Sequence, residues 1–148
     1  MLRRSFLGAI AVTGVVGLLA GQRLIAAPTP TNVETLPLAA ADLVGNPDYL
    51  VVDIREPEEW RQTGVLEGAL LLSYRDPAQF LAVVAPLLEP GQKLALVCRS
   101  GNRSSRAVQA LARETQSQLV DVSGGMNRIL ASGYRPVAPT RDRGCTTC

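Results

Sequence analysis

Leu94-Ala-Leu-Val-Cys98-Arg99-Ser100-Gly101-Asn102-Arg103-Ser104-Ser105 is an apolar run that stops at a cysteine, then a short polar loop, then the start of a helical pattern. Leu94 to Val97 has the length and content of a buried strand. Ser104 or Ser105 is a favourable N-cap for the segment Arg106-Ala-Val-Gln-Ala-Leu-Ala-Arg113, and the helix is expected over about Ser104 to Thr115. Strand, loop and helix start therefore coincide around Cys98. A helix N-terminus carries partial positive charge and unpaired N–H donors, and Arg99 and Arg103 add two full charges, so a thiolate at Cys98 is favoured over the thiol. Cys98 is the candidate nucleophile.

The alternation of strand and helix continues on both sides. Tyr49 to Asp53 and Gln118 to Val122 read as further buried strands, and Ala69 to Ser73 as another. Helices are expected over Leu36 to Leu43, entered through Pro37, over Pro57 to Thr63 with the only Trp, over Pro77 to Leu88, and over Met126 to Ala131. Pro90-Gly91 and Ser123-Gly124-Gly125 mark turns. Buried strands alternating with helices predict an α/β fold whose parallel central sheet is covered by helices on both faces. Ligands of such sheets bind at the carboxyl ends of the strands, where Cys98 lies.

Composition narrows the chemistry. The 148 residues contain no histidine, which removes the commonest general base, the usual metal ligand and any Cys-His or Ser-His-Asp arrangement. No metal and no cofactor are expected. Leaving out Arg3, Arg4 and Arg23, residues 28–148 carry 12 basic against 13 acidic residues, so no nucleic acid partner is expected. Three cysteines are too few for a disulfide framework.

The organisation reads as a signal or membrane-anchor segment over 1–27, a proline-bearing linker over 28–33, a folded domain over 34–138 and a flexible tail with C-x-x-C over 139–148. Arg3-Arg4-Ser5-Phe6-Leu7 followed by an uncharged stretch resembles the bacterial twin-arginine export signal, with Leu2 where Ser or Thr is usual. Residues 5–21 reach the lower limit for spanning a bilayer, so they fit a cleaved signal or a retained anchor. Either implies an extracytoplasmic location, in periplasm or lumen.

Four pieces in order resemble the rhodanese domain: Val52-Asp53-Ile-Arg55-Glu-Pro57-Glu-Glu59-Trp60, Gly64-Val-Leu-Glu67-Gly68-Ala69, the loop Cys98 to Ser104, and Val122-Ser-Gly124-Gly125 with Gly133-Tyr134. Family members usually carry histidine where this chain has Val65. The resemblance implies a rhodanese-like three-layer fold and a sulfurtransferase in which the Cys98 thiolate takes a sulfane sulfur from a donor, holds it as a persulfide and passes it to an acceptor. The implied partners are a small sulfur-containing anion and a thiol or protein acceptor. Arg99, Ser100, Gly101, Asn102, Arg103 and Ser104 are the candidate substrate-binding residues. Gly101 and its small neighbours allow an anion nest of backbone N–H groups, and Asn102 tolerates a left-handed backbone. Asp53, Arg55 and Glu67 are expected to support the site, with Arg55 and Glu67 as an ion pair and Asp53 on loop amides. Trp60 reads as a core lid.

Two rival functions remain at this level. A phosphatase or arsenate reductase would want a roomier loop, since Arg103 follows Cys98 after only four intervening residues. A membrane-tethered persulfide or redox carrier with little turnover fits the same residues. Cys145 and Cys148 are candidate accessory thiols, as a dithiol that meets Cys98, as half of a soft-metal site, or as a pair closed on each other in an oxidising compartment.

Overall fold

The computed structural model describes residues 31–148. The leader 1–27, with its twin-arginine resemblance and its membrane expectation for 5–21, lies outside the described residues, as does 28–30 of the linker. Five strands form one parallel sheet: β1 (Val33–Leu36), β2 (Tyr49–Asp53), β3 (Leu70–Leu71), β4 (Lys93–Val97) and β5 (Leu119–Val122), ordered β1-β5-β4-β2-β3. The connections carry α1 (Ala40–Leu43), α2 (Pro57–Thr63), α3 (Pro77–Val84), α4 (Asn102–Leu111) and α5 (Gly125–Ala131). Among the described residues no helix is long and apolar enough to cross a membrane.

β4 lies between β5 and β2 and is covered on both faces, which is why its sequence is an unbroken apolar run. Alternate side chains feed two cores. Ala95 and Val97 pack with α1 and α5 through Leu43, Met126 and Ile129. Leu94 and Leu96 pack with α3 and α4 through Phe80, Val84, Val108 and Leu111. The fold class is the expected α/β sheet with helices on both faces. Because every pairing is parallel, the loops after β2, β4 and β5 emerge at the same edge, with Asp53 opposite Val97 and Leu96 opposite Asp121.

Element ends differ from the sequence reading for identifiable reasons. Val33–Leu36 pairs with β5 as an edge strand, so the segment that reads as linker runs into the sheet at Val33 and the first helix is delayed to Ala40. The helix expected over Pro77 to Leu88 gives way after Val84 to one 3-10 turn, Ala85–Leu87, where Pro86 has no N–H to continue the ladder. The strand expected over Ala69 to Ser73 is only Leu70–Leu71.

The segment 139–148 is docked instead of free. A 3-10 turn, Arg141–Arg143, leads into Gly144, which passes so close to the Leu71 carbonyl that an added Cβ would lie 2.2 Å from its oxygen. Cys145 and Cys148 form a disulfide, and Cys145 is 0% exposed against Trp60, Val65 and Leu71. Burying this apolar bridge in a small core beside β3 is what holds the tail down.

Candidate active site

The loop after β4 wraps its own cysteine. Cys98 is 1% exposed, and its Sγ accepts the Gly101 N–H at 3.1 Å. The backbone N–H groups of Ser100, Arg103 and Ser104 also point at the sulfur. The Ser104 Oγ lies 3.4 Å from Sγ. Burial pushes the thiol up, but the Ser104 hydroxyl and these amides outweigh it and hold the group below the ordinary cysteine range. The Ser104 hydroxyl and the loop amides together are the source of activation.

Two glycine positions make this geometry attainable. Gly101 is the N-cap of α4 with φ +92°, and a Cβ there would meet the Gly124 nitrogen at 2.9 Å. The helix therefore starts at Asn102, not at a Ser104 or Ser105 cap, and the left-handed residue is Gly101 and not Asn102. At Gly125 a Cβ would sit 2.2 Å from the Cys98 carbonyl oxygen. That close approach lets the start of α5 brace the loop, with the Met126 N–H donating to the Cys98 carbonyl at 2.8 Å and the Asn127 N–H to the Arg99 carbonyl at 2.9 Å. With its carbonyls held outward by α5, the loop keeps its amides for the sulfur.

The predicted charged residues divide into several roles. Arg103 caps the loop on α4 but is paired with Glu59 of α2, at 2.5 and 2.8 Å, so it is not a free anion ligand. Burial raises the Glu59 carboxyl, but the Arg103 hydrogen bond and charge, with the Glu56 amide, bring it below its usual range. Arg99 is exposed, enters no ion pair among the described residues, and lines a depression of about 40 Å³ with Glu59, Met126 and Asn127. Arg103 and Arg106 line a separate cavity of about 250 Å³ with Ile54, Glu56, Tyr74 and Ala107. Ser100 on the loop and Asn102 at the start of α4 are exposed, while Ser104 is buried beside the sulfur.

Asp53 and Arg55 form a buried ion pair, each 1% exposed at the side chain, with Arg55 Nη2 2.7 Å from Asp53 Oδ2. Arg55 also donates to Thr63 Oγ1 at 2.6 Å and to the Gly64 carbonyl at 2.8 Å, tying the end of β2 to the end of α2. The expected Arg55–Glu67 pair is not formed. Glu67 is exposed, and its backbone N–H donates to the Tyr134 hydroxyl at 3.0 Å. Asp53 accepts from Arg55, including the Arg55 backbone N–H, and not from the cysteine loop. Trp60 is buried beside Cys145 in the small core, and Cys145 and Cys148 are closed on each other there, apart from the core that holds Cys98.

Two acids of the site were not singled out from the sequence. Glu59 becomes relevant only because α2 brings it to Arg103. Asp121 is 2% exposed on β5, and its Oδ1 lies 2.6 Å from Ser104 Oγ. An acid inside the apolar run Leu119-Val-Asp121-Val122 was the available signal.

Residues 36–132 match the family model described as the Rhodanese-like domain. An uncharacterized protein of Synechocystis is 31% identical over 103 residues, which are 69% of this chain and 54% of that protein, so the chain spans about half the length of the relative. The crystal structure of a rhodanese-related protein from Thermoplasma volcanium has 33% sequence identity and a TM-score of 0.53, covering 69% of this chain and 97% of that one. A Rhodopseudomonas palustris protein of unknown function, described as a possible tyrosine phosphatase, has 21% identity and a TM-score of 0.49 over 61% of this chain and 71% of its own.

Proposed function

The chain belongs to the rhodanese-like domain family, and from that premise we propose that it is a sulfurtransferase working through a persulfide on Cys98. The observation that carries this reading is the ring of N–H donors around one buried sulfur, with Gly101 N at 3.1 Å. Such a ring stabilises a negative charge on sulfur and, equally, on a second sulfur bound to it.

The proposed chemistry needs no base. The Cys98 thiolate attacks the outer sulfur of a sulfane donor such as thiosulfate. A Cys98–S bond forms, the donor S–S bond breaks, and sulfite leaves with the electron pair. The persulfide anion is then attacked at its terminal sulfur by an acceptor, cyanide or a thiolate, and the Cys98 thiolate is released. Charge balances in each step and no proton moves, consistent with a chain that has no histidine.

Exposed Arg99 is the candidate to draw in the donor anion, since Arg103 is engaged by Glu59. The closed Cys145–Cys148 pair supports an oxidising compartment and so an extracytoplasmic location. The short loop favours sulfur over phosphate as substrate.

Purified chain supplied with thiosulfate and cyanide should form thiocyanate and sulfite, and Cys98→Ser should abolish it. A persulfide adduct of about 32 Da on Cys98 without repeated turnover would instead mark a sulfur carrier. Phosphate-ester hydrolysis with no adduct would sink both.

A further inference from the structure

The Ser104 hydroxyl has one proton and three acceptors within reach. They are Cys98 Sγ at 3.4 Å, the Gly101 carbonyl at 3.1 Å and Asp121 Oδ1 at 2.6 Å. The Gly101 carbonyl also accepts the Ser105 N–H at 3.0 Å and, being neutral, draws the hydroxyl proton less strongly than an anionic sulfur or carboxylate. The contest is therefore between the sulfur and the carboxyl. If Asp121 were a carboxylate it would take the proton, and the sulfur would lose its only hydroxyl donor among the described residues. It would also place a second negative charge beside a buried thiolate.

We infer that Asp121 is a positioning residue that holds the site to one negative charge: it keeps its own proton while Cys98 is a thiolate, donates it to Ser104 Oγ, and so turns the Ser104 O–H onto Cys98 Sγ. The surroundings of Asp121 fit this role. From β1 it meets the Thr35 hydroxyl, from β4 the apolar Leu96 lies beside it in register, and from α4 it meets Ser104. Of the nearby arginines on α4, Arg103 is turned to Glu59 and the Arg106 Nε to the Asn102 carbonyl. Among the described residues no cation is paired with the carboxyl. Burial pushes the carboxyl up, and the hydrogen bonds from Ser104 and Thr35 offset this only in part.

The inference rests on the reading of Cys98 as a nucleophilic thiolate. Since neither half-reaction transfers a proton, the Asp121 proton is stored, not delivered. A carboxyl that stays neutral sets which way the hydroxyl points, and does so for the thiolate and the persulfide alike.

The test reads protonation directly and uses no sulfur donor, so absence of sulfur transfer leaves it intact. Thiolate formation at Cys98 is followed by the rate of iodoacetamide alkylation against pH, in the whole chain and its variants. Asp121→Asn is neutral and can still donate to Ser104 Oγ, so it reproduces the protonated carboxyl and should leave the half-point of thiolate formation where it is in the parent. Ser104→Ala removes the hydroxyl that the carboxyl aims and should raise the half-point by up to about one pH unit, or tenfold less thiolate at a fixed pH below it. A half-point that falls in Asp121→Asn, the relief of a carboxylate charge, or one that stays in place in Ser104→Ala would each overturn the inference. The parent itself offers a second measurement, the ¹³Cγ shift of Asp121, which should show ionisation at lower pH once Cys98 is replaced by Ser. An unchanged Asp121 titration in Cys98→Ser would overturn it independently of whether Asp121→Asn folds.

Discussion

The chain keeps sulfur in two places, and the two are built on opposite principles. At Cys98 the sulfur is buried among N–H donors, on a loop whose carbonyls are drawn away by α5. At Cys145 it is buried among Trp60, Val65 and Leu71, with its valence closed by Cys148. Both are nearly inaccessible, at 1% and 0%. Burial alone therefore says nothing about reactivity. What decides it is whether the surroundings solvate a charge, and only the first site supplies the dipoles to do so.

Arg55→Leu is the harshest way to break the contrast, because it strands the Asp53 carboxylate beneath the edge that carries the loop. It should cost about 3–5 kcal/mol in denaturant unfolding. Gly125→Ala comes next. Its Cβ would collide with the Cys98 carbonyl and add left-handed strain at φ +55°, about 2–5 kcal/mol in all, with Cys98 alkylation losing its low-pH half-point as the brace opens. Reducing the Cys145–Cys148 bridge should cost only about 2 kcal/mol, the value for so short a loop, and should leave the Cys98 alkylation profile in place. A profile that moved with reduction would mean the two sulfur sites communicate. Smallest is Glu59→Gln, which frees Arg103 from a partly exposed pair. It should change stability by about 0.2–1 kcal/mol, and faster capture of thiosulfate at low salt would show that Arg103 is held in reserve as a donor ligand.

How much of this was readable from the amino acids depended on the range of the interaction. β4 and its cysteine loop were legible because an apolar run, a cysteine, a glycine and a helical repeat are adjacent in the chain, and the parallel sheet followed from similar runs elsewhere. For the activation of Cys98 the sequence points to loop amides, a helix terminus and two arginines; the structure puts the amides of Ser100, Gly101, Arg103 and Ser104 on the sulfur, adds the Ser104 hydroxyl, and turns Arg103 away to Glu59. Arg55 reads as a partner for Glu67 and pairs instead with Asp53, two residues away, because a side chain folding back on its own strand end leaves no periodic trace. Glu59 with Arg103 and Asp121 with Ser104 join distant segments, and only the packing of α2 and β5 against α4 brings them together. Cys145 docks among Trp60, Val65 and Leu71, residues from separate segments that only the fold brings into one apolar corner.

The bond from the Met126 N–H to the Cys98 carbonyl is indifferent to the side chain at position 98. Gly124-Gly125 would be demanded just as strictly by a descendant that had exchanged its thiol for an alanine. Within this lineage, mutation should therefore erase the thiol and the glycine pair at separate times, and chains that have lost the chemistry should still carry the turn that once served it.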